Sequence, residues 1–235
     1  MTNTEHTYKQ FDIELESLRS HVLRMGGLIE QQIINAIEGL TTLNREIIDQ
    51  VIVNDHLVNG MEVEIDEQCN HIIALRQPAA SDLRMVMTVV KTITDLERIG
   101  DEAEKIARMA KLICEDDGLK APKFSAITNV GEIALEMLRK ALDSFARLDV
   151  TTAVQVVRQD IEVDEAFHAI LRQLITFMME DPRTISTSIE ILFVAKALER
   201  IGDHAKNIAE YVVFMVKGKD VRHVTVEDVE REAME

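Results

Sequence analysis

Two acidic pairs of identical spacing carry the most chemistry in this chain. Glu97-x-x-x-Asp101 and Glu199-x-x-x-Asp203 each set two carboxylates four residues apart. In a helix that spacing turns both to one face, where like charges cost a few tenths of a kcal/mol unless something offsets them. A hard cation is the natural counterpart. Mg, Mn, Ca or Fe takes oxygen ligands, and a single helical turn supplies two of them. Zinc fits less well, because the Cys and His ligands it favours are missing nearby. Asp55, Asp160 and Asp164, on the helices that precede the two pairs, would add ligands wherever the fold brings them close. The alternative stays open that the acids lie on a solvated face and pair with Arg98, Arg200 or Lys105.

The acids belong to a longer duplication. Leu96-Glu97-Arg98-Ile99-Gly100-Asp101-Glu102-Ala103-Glu104-Lys105-Ile106-Ala107 returns 102 residues later as Leu198 to Ala209, with nine of twelve positions identical. Each copy has an apolar seam at helical spacing, Leu96, Ile99, Ala103, Ile106 and Ala110 in the first, Leu198, Ile201, Ala205, Ile208 and Val212 in the second. A second, largely apolar row is interrupted in both copies by the same glutamate, so each glutamate sits on a packed or partner-facing side. Gly100 and Gly202 beside them leave room for a close approach.

Other chemistry is thin. No Gly-rich phosphate loop or nucleophile elbow occurs, and an enzyme is not expected; a carboxylate-bound metal enzyme or a metal-dependent helical scaffold is the alternative. Only Glu165-Ala166-Phe167-His168 has the Glu-x-x-His spacing of a di-iron site, which needs two such pairs. His204 follows Asp203 but is Glu102 in the first copy, so it reads as a surface residue. Met85, Met87, Met178 and Met179 read as core filler.

The elements that hold these residues are helices throughout. The 235 residues include three prolines, nine glycines and eleven methionines, with aromatics at 4% and hydrophobic residues at 46%. That composition favours long helices over a turn-rich β fold. Helical periodicity predicts six helices, over about 7–41, 44–75, 81–114, 124–146, 149–179 and from Pro182 to about Lys217. Pro78 and Pro182 mark matching breaks, with Ser81 or Asp82 as the expected cap of the third helix. The simplest arrangement is all-α, two tandem antiparallel three-helix bundles, residues 1–118 and 119–218, joined by a polar linker over 115–123. Residues 219–235 read as a charged, loose tail.

Net charge is −16, from 42 acids against 26 bases. The excess disfavours nucleic acid and anionic lipid, and favours basic protein surfaces and cations. Cys69 and Cys114 are isolated, which suits a reducing compartment. No secretory leader is visible, and the longest apolar runs, Ile191 to Ala195 and Tyr211 to Val216, are far too short to span a membrane. A cytoplasmic protein without direct membrane insertion is expected.

Leu96-Glu97-Arg98-Ile99-Gly100-Asp101 and Leu198-Glu199-Arg200-Ile201-Gly202-Asp203-His204-Ala205, with Gln77-Pro78-Ala79-Ala80-Ser81-Asp82-Leu83-Arg84 ahead of the third helix, resemble the duplicated signature of the PhoU family. The likeness runs over roughly residues 8 to 218. It implies two three-helix bundles related by a pseudo-twofold and a non-catalytic negative regulator of the phosphate-starvation response. It also implies modulation of phosphate uptake. The implied partners are the ATPase subunit of a phosphate ABC transporter and a phosphate-sensing histidine kinase, with a second copy of the chain as a dimer. Metal, including iron clusters, is implied at the duplicated acids, here Glu97, Asp101, Glu199 and Asp203.

Overall fold

The computed structural model describes residues 2–115, 124–222 and 224–234. Among the described residues six long helices follow one another: α1 (Thr2–Thr42), α2 (Arg45–Arg76), α3 (Ala80–Glu115), α4 (Ser125–Arg147), α5 (Val150–Glu180) and α6 (Ile185–Lys217). A short 3-10 turn, Pro182–Thr184, precedes α6, and α7 (Val226–Met234) closes the chain. Most of the expected linker, and the boundary at 118/119, lies outside the described residues.

The turns repeat as faithfully as the helices. Leu43 and Leu148 both take left-handed backbone, at φ 53° and 57°. Each is followed by an N-cap whose side chain accepts from the first free backbone N–H groups. Asn44 accepts from Glu46 and Ile47 at 3.0 and 3.4 Å, and Asp149 accepts from Thr151 and Thr152 at 2.9 and 3.3 Å. Such caps satisfy donors that a helix start leaves orphaned, and so offset the strain of the preceding leucine. The expected cap at Ser81 or Asp82 is not what starts α3. That helix begins at Ala80, and Asp82 lies inside its first turn, where a carboxylate favours the helix dipole.

Helices α1, α2 and α3 pack on one another, as do α4, α5 and α6; α3 against α6 and α1 against α4 join the two bundles. All ten residues of the two predicted seams are fully buried. At the α1–α4 contact a Cβ on Gly26 would lie 2.6 Å from Leu142 Cδ1, and one on Gly131 would overlap Ile37 Cδ1. The four residues are exchanged by the internal repeat, as a twofold requires: the glycine of each bundle receives the aliphatic side chain of the other.

Two expectations are corrected. Met87 and Met179 are 42% and 80% exposed, while Met85 and Met178 pack against the core. The described part of the expected tail over 219–235 is not loose: α7 packs on α5, Val221 and Val229 are buried, and Arg158 pairs with Glu230. Valines at positions 221, 226 and 229 supply a narrow apolar edge that the surrounding charge hid.

Candidate functional site

Each bundle builds one acid cluster, between α2 and α3 in the first and between α5 and α6 in the second. Gly100 and Gly202 set the spacing. A Cβ at Gly100 would come 3.1 Å from Val58 Cγ1, and one at Gly202 3.4 Å from Val163 Cγ1. The glycines therefore admit a valine from the neighbouring helix rather than a ligand. That contact draws α2 close to α3, and α5 close to α6, one turn from each glutamate.

In the first cluster Glu97, Asp101 and Glu104 of α3 face Asp55 and Glu62 of α2. Burial, then the charges of Asp101, Glu62 and Asp55, pushes Glu97 above the ordinary carboxylate range. Asp101 is raised by desolvation and then by Asp55 and Glu104. Asp55 is raised by burial and then by Glu104, and Glu62 by burial, Asp66 and Asp101. Asn59 Nδ2 donates to Asp55 Oδ2 at 3.0 Å, while Asp55 Oδ1 is buried without a partner. The cationic groups are peripheral: Arg108 bonds Glu104 at 2.5 Å, while Arg98 acts on Glu97, and Arg200 on Asp101, through its field.

The second cluster has the same frame and different electrostatics. Asp203 is pushed up to about 6 by burial, then by Glu199, Asp160 and Asp164, with Lys196 opposing. Two ammonium groups are built into it. Lys196 Nζ donates to both oxygens of Glu199 at 2.5 Å and rests 5.5 Å from the Phe167 ring centroid. Lys206 Nζ donates to buried Asp160 Oδ2 at 2.6 Å. By the repeat, these lysines stand where the first bundle has Thr94 and Glu104, and Phe167 stands where it has Glu62.

The fold thus gathers Asp55 with Glu97 and Asp101, and Asp160 and Asp164 with Glu199 and Asp203. Glu62, Glu104, Lys196 and Lys206 are members that sequence reasoning passed over. Glu62 was detectable, since it lies two helical turns beyond Asp55 on the same face. The donor chemistry of the first cluster, all carboxylate with one buried unsatisfied oxygen, suits a hard cation. No three His, Cys, Asp or Glu residues among those described converge tightly enough to hold one as they stand. Glu165 and His168 are both exposed, so they form no core pair.

His204 corrects its sequence reading. It is 7% exposed, at the α3–α6 contact, and its Nδ1 donates to Asp95 Oδ1 at 2.7 Å. Asn207 Nδ2 donates to the same oxygen at 3.1 Å. The first-copy equivalent, Glu102, is also buried and pairs across the contact with Arg200 and along its own helix with Lys105. Position 102/204 is therefore a polar lock between bundles in both copies. Only its chemistry changed.

Comparison with known proteins gives a consistent result. The PhoU domain family matches residues 22–110 and 127–212. The Pseudomonas aeruginosa protein named phosphate-specific transport system accessory protein PhoU homolog is 47% identical over 221 residues, 94% of this chain and 91% of that protein. The Escherichia coli phosphate-specific transport system accessory protein PhoU is 45% identical over 227 residues, 97% of this chain and 93% of its own length. The crystal structure of PhoU from Pseudomonas aeruginosa superposes with a TM-score of 0.85 at 46% identity, covering 89% of this chain and all of that one. The Streptococcus pneumoniae phosphate transport system regulatory protein PhoU superposes at 0.83 and 28% identity, over 90% and 99% of the two chains. With its doubled acid motif on α3 and α6 and a paired-bundle fold in common with these structures, the chain belongs to the PhoU family.

Proposed function

We propose that this chain is an accessory protein of phosphate transport that restrains both phosphate uptake and the phosphate-starvation response. It works by binding rather than by catalysis, linking the ATPase subunit of a phosphate ABC transporter to a phosphate-sensing histidine kinase at the cytoplasmic side, as a homodimer. The observation that carries this reading is similarity along almost the whole chain to curated accessory proteins of phosphate-specific transport, at 45–47% identity. Coupling of this kind needs differential contact with two states of each partner and no reaction centre. No described helix is long and apolar enough to cross a membrane, so contact with a membrane complex would run through its protein subunits.

Metal enters the same reading as a ligand of the duplicated acids. In the first cluster Glu97, Asp101 and Asp55 would hold a hard cation such as Mg, Mn or Fe, which would neutralise carboxylates that now repel one another. In the second, Glu199, Asp203, Asp160 and Asp164 would do so only by displacing Lys196 and Lys206.

The experiment is a starvation-response phosphatase reporter in host cells deleted for this chain and grown in phosphate-rich medium. High output, returned to low by the wild-type gene, is the expected result. Low output in the deletion strain would remove the repressor reading.

A further inference from the structure

Away from the acid clusters, where the N-terminal turns of α3 meet the C-terminal end of α6, one arginine is left without a counterpart. Arg84 is partly buried; its Nε is shielded from solvent and bonds nothing, and no ion pair or hydrogen bond among the described residues engages the guanidinium. A buried donor in that condition calls for an acceptor the protein itself does not supply, such as an ion. Arg84 is also seated with care. Gly218, at φ 73°, ends α6 and donates its N–H to Phe214 O at 2.8 Å, and a Cβ there would overlap Arg84 Nη1. The glycine is thus needed both for the left-handed cap and for the guanidinium beside it.

A second cation lies along the same face, and the acids around it have partners or are disfavoured as anions. Lys91, two turns along the same face of α3, holds its ammonium 5.6 and 5.5 Å from the Tyr211 and Phe214 ring centroids, and pairs with no carboxylate among the described residues. Three acids lie near it: the Arg222 guanidinium holds Asp220 down to about 2, with Lys91 adding to the effect, Asp95 accepts from His204 and Asn207, and burial pushes Glu210 up to about 7. The second bundle has Ser186 and Phe193 at the positions equivalent to Arg84 and Lys91. A charge that the helical frame required would recur with the repeat, and this one does not.

The geometry points to an oxyanion site at this end of the molecule, with Arg84 as the anchoring fork and Lys91 as a supporting charge, and inorganic phosphate as the ligand. A planar guanidinium matches the spacing of two phosphate oxygens, and a phosphate would supply the counter-charge that no described residue gives Arg84. Such binding needs no bridging cation, unlike binding at the acid clusters. It is independent of the adaptor reading, which the starvation reporter tests separately.

The test is calorimetric titration of the full chain with inorganic phosphate at constant ionic strength, for wild type, Arg84→Gln, Lys91→Gln and the remote control Lys111→Gln. One saturable site is expected in wild type and in the control. Affinity should fall about tenfold or more in Arg84→Gln, the loss appropriate to a charge-assisted pair, with far-UV helicity unchanged. If Arg84→Gln does not fold, Lys91→Gln decides, with weakened binding supporting the site and unchanged binding overturning it. Absence of saturable binding by wild type, or binding by folded Arg84→Gln equal to wild type, also overturns it.

Discussion

Glu210 shows how strongly position governs a single side chain. It is 8% exposed on α6, and burial pushes its carboxyl up to about 7, against the opposing charge of Lys206. Because the folded value exceeds the unfolded one, the charged form is the disfavoured one. The penalty is absent below the ordinary carboxylate range and complete once pH has risen through about 7. Glu210→Gln should therefore stabilise the protein by about 2 kcal/mol near pH 8 and by almost nothing near pH 4, as urea denaturation at the two pH values would show. His204 carries the opposite expectation. Its removal as His204→Ala leaves Asp95 buried without its imidazole partner and opens a void, so a loss of about 2–4 kcal/mol is expected at neutral pH. A loss below about 0.5 kcal/mol would mean that the Asp95 contact adds little to the joint between bundles. Neither residue could be placed by pattern alone. Glu210 follows an Ala and precedes a Tyr on a helix with acids on several sides, and His204 sits where the other copy carries glutamate.

At the scale of the helices, local sequence was a good guide wherever a break has its own chemistry. Pro78 and Pro182 stop helices because a ring replaces the donor and crowds the preceding turn. Asn44 and Asp149 start them, and a direct check follows from their shared geometry. Asn44→Ala and Asp149→Ala should each cost about 1 kcal/mol, seen as similar falls in thermal midpoint, because each removes an acceptor from two backbone donors beside a strained leucine. Unequal effects would mean that the two turns, though alike in backbone, bear different loads. The same local logic failed at α7. Its nine residues include four acids and one arginine, and only the burial of Val221 and Val229 against the second bundle reveals why the segment is ordered as a helix. Tertiary contact supplied what a short helix cannot supply for itself.

For the whole molecule the question is what joins the bundles and how they differ. The reciprocal pairs Gly26 with Leu142 and Gly131 with Ile37 leave no room for a larger residue. Gly131→Val should cost about 1–3 kcal/mol, and adding Ile37→Ala should recover part of it, a coupling that a double-mutant cycle in urea would measure. The acid clusters differ in charge although they share a frame. If a cation is taken up, the first bundle should hold it more tightly, since Lys196 and Lys206 already neutralise the second. Elemental analysis should then find less metal in Asp55→Asn with Glu97→Gln, and nearly unchanged metal in Glu199→Gln with Asp160→Asn. Equal losses in the two double variants would place the clusters on the same footing. A net charge of −16 further implies that partner binding weakens as salt rises.

Two bundles, six helices and the duplicated acids were readable from the chain because each is written in local terms: an apolar period, a proline, a repeated segment. Those signals reside in neighbouring residues and survive without any fold around them. Which acids meet across helices, that Lys206 neutralises Asp160, and whether position 204 faces water or Asp95 depend on contacts between residues about 40 to 110 apart. Such pairings are set by how whole helices dock, by a glycine receiving a valine or an isoleucine, and by the burial that follows. Equivalent positions of a repeat can therefore inherit one backbone and hold opposite charges. Folding decides what each charge then does.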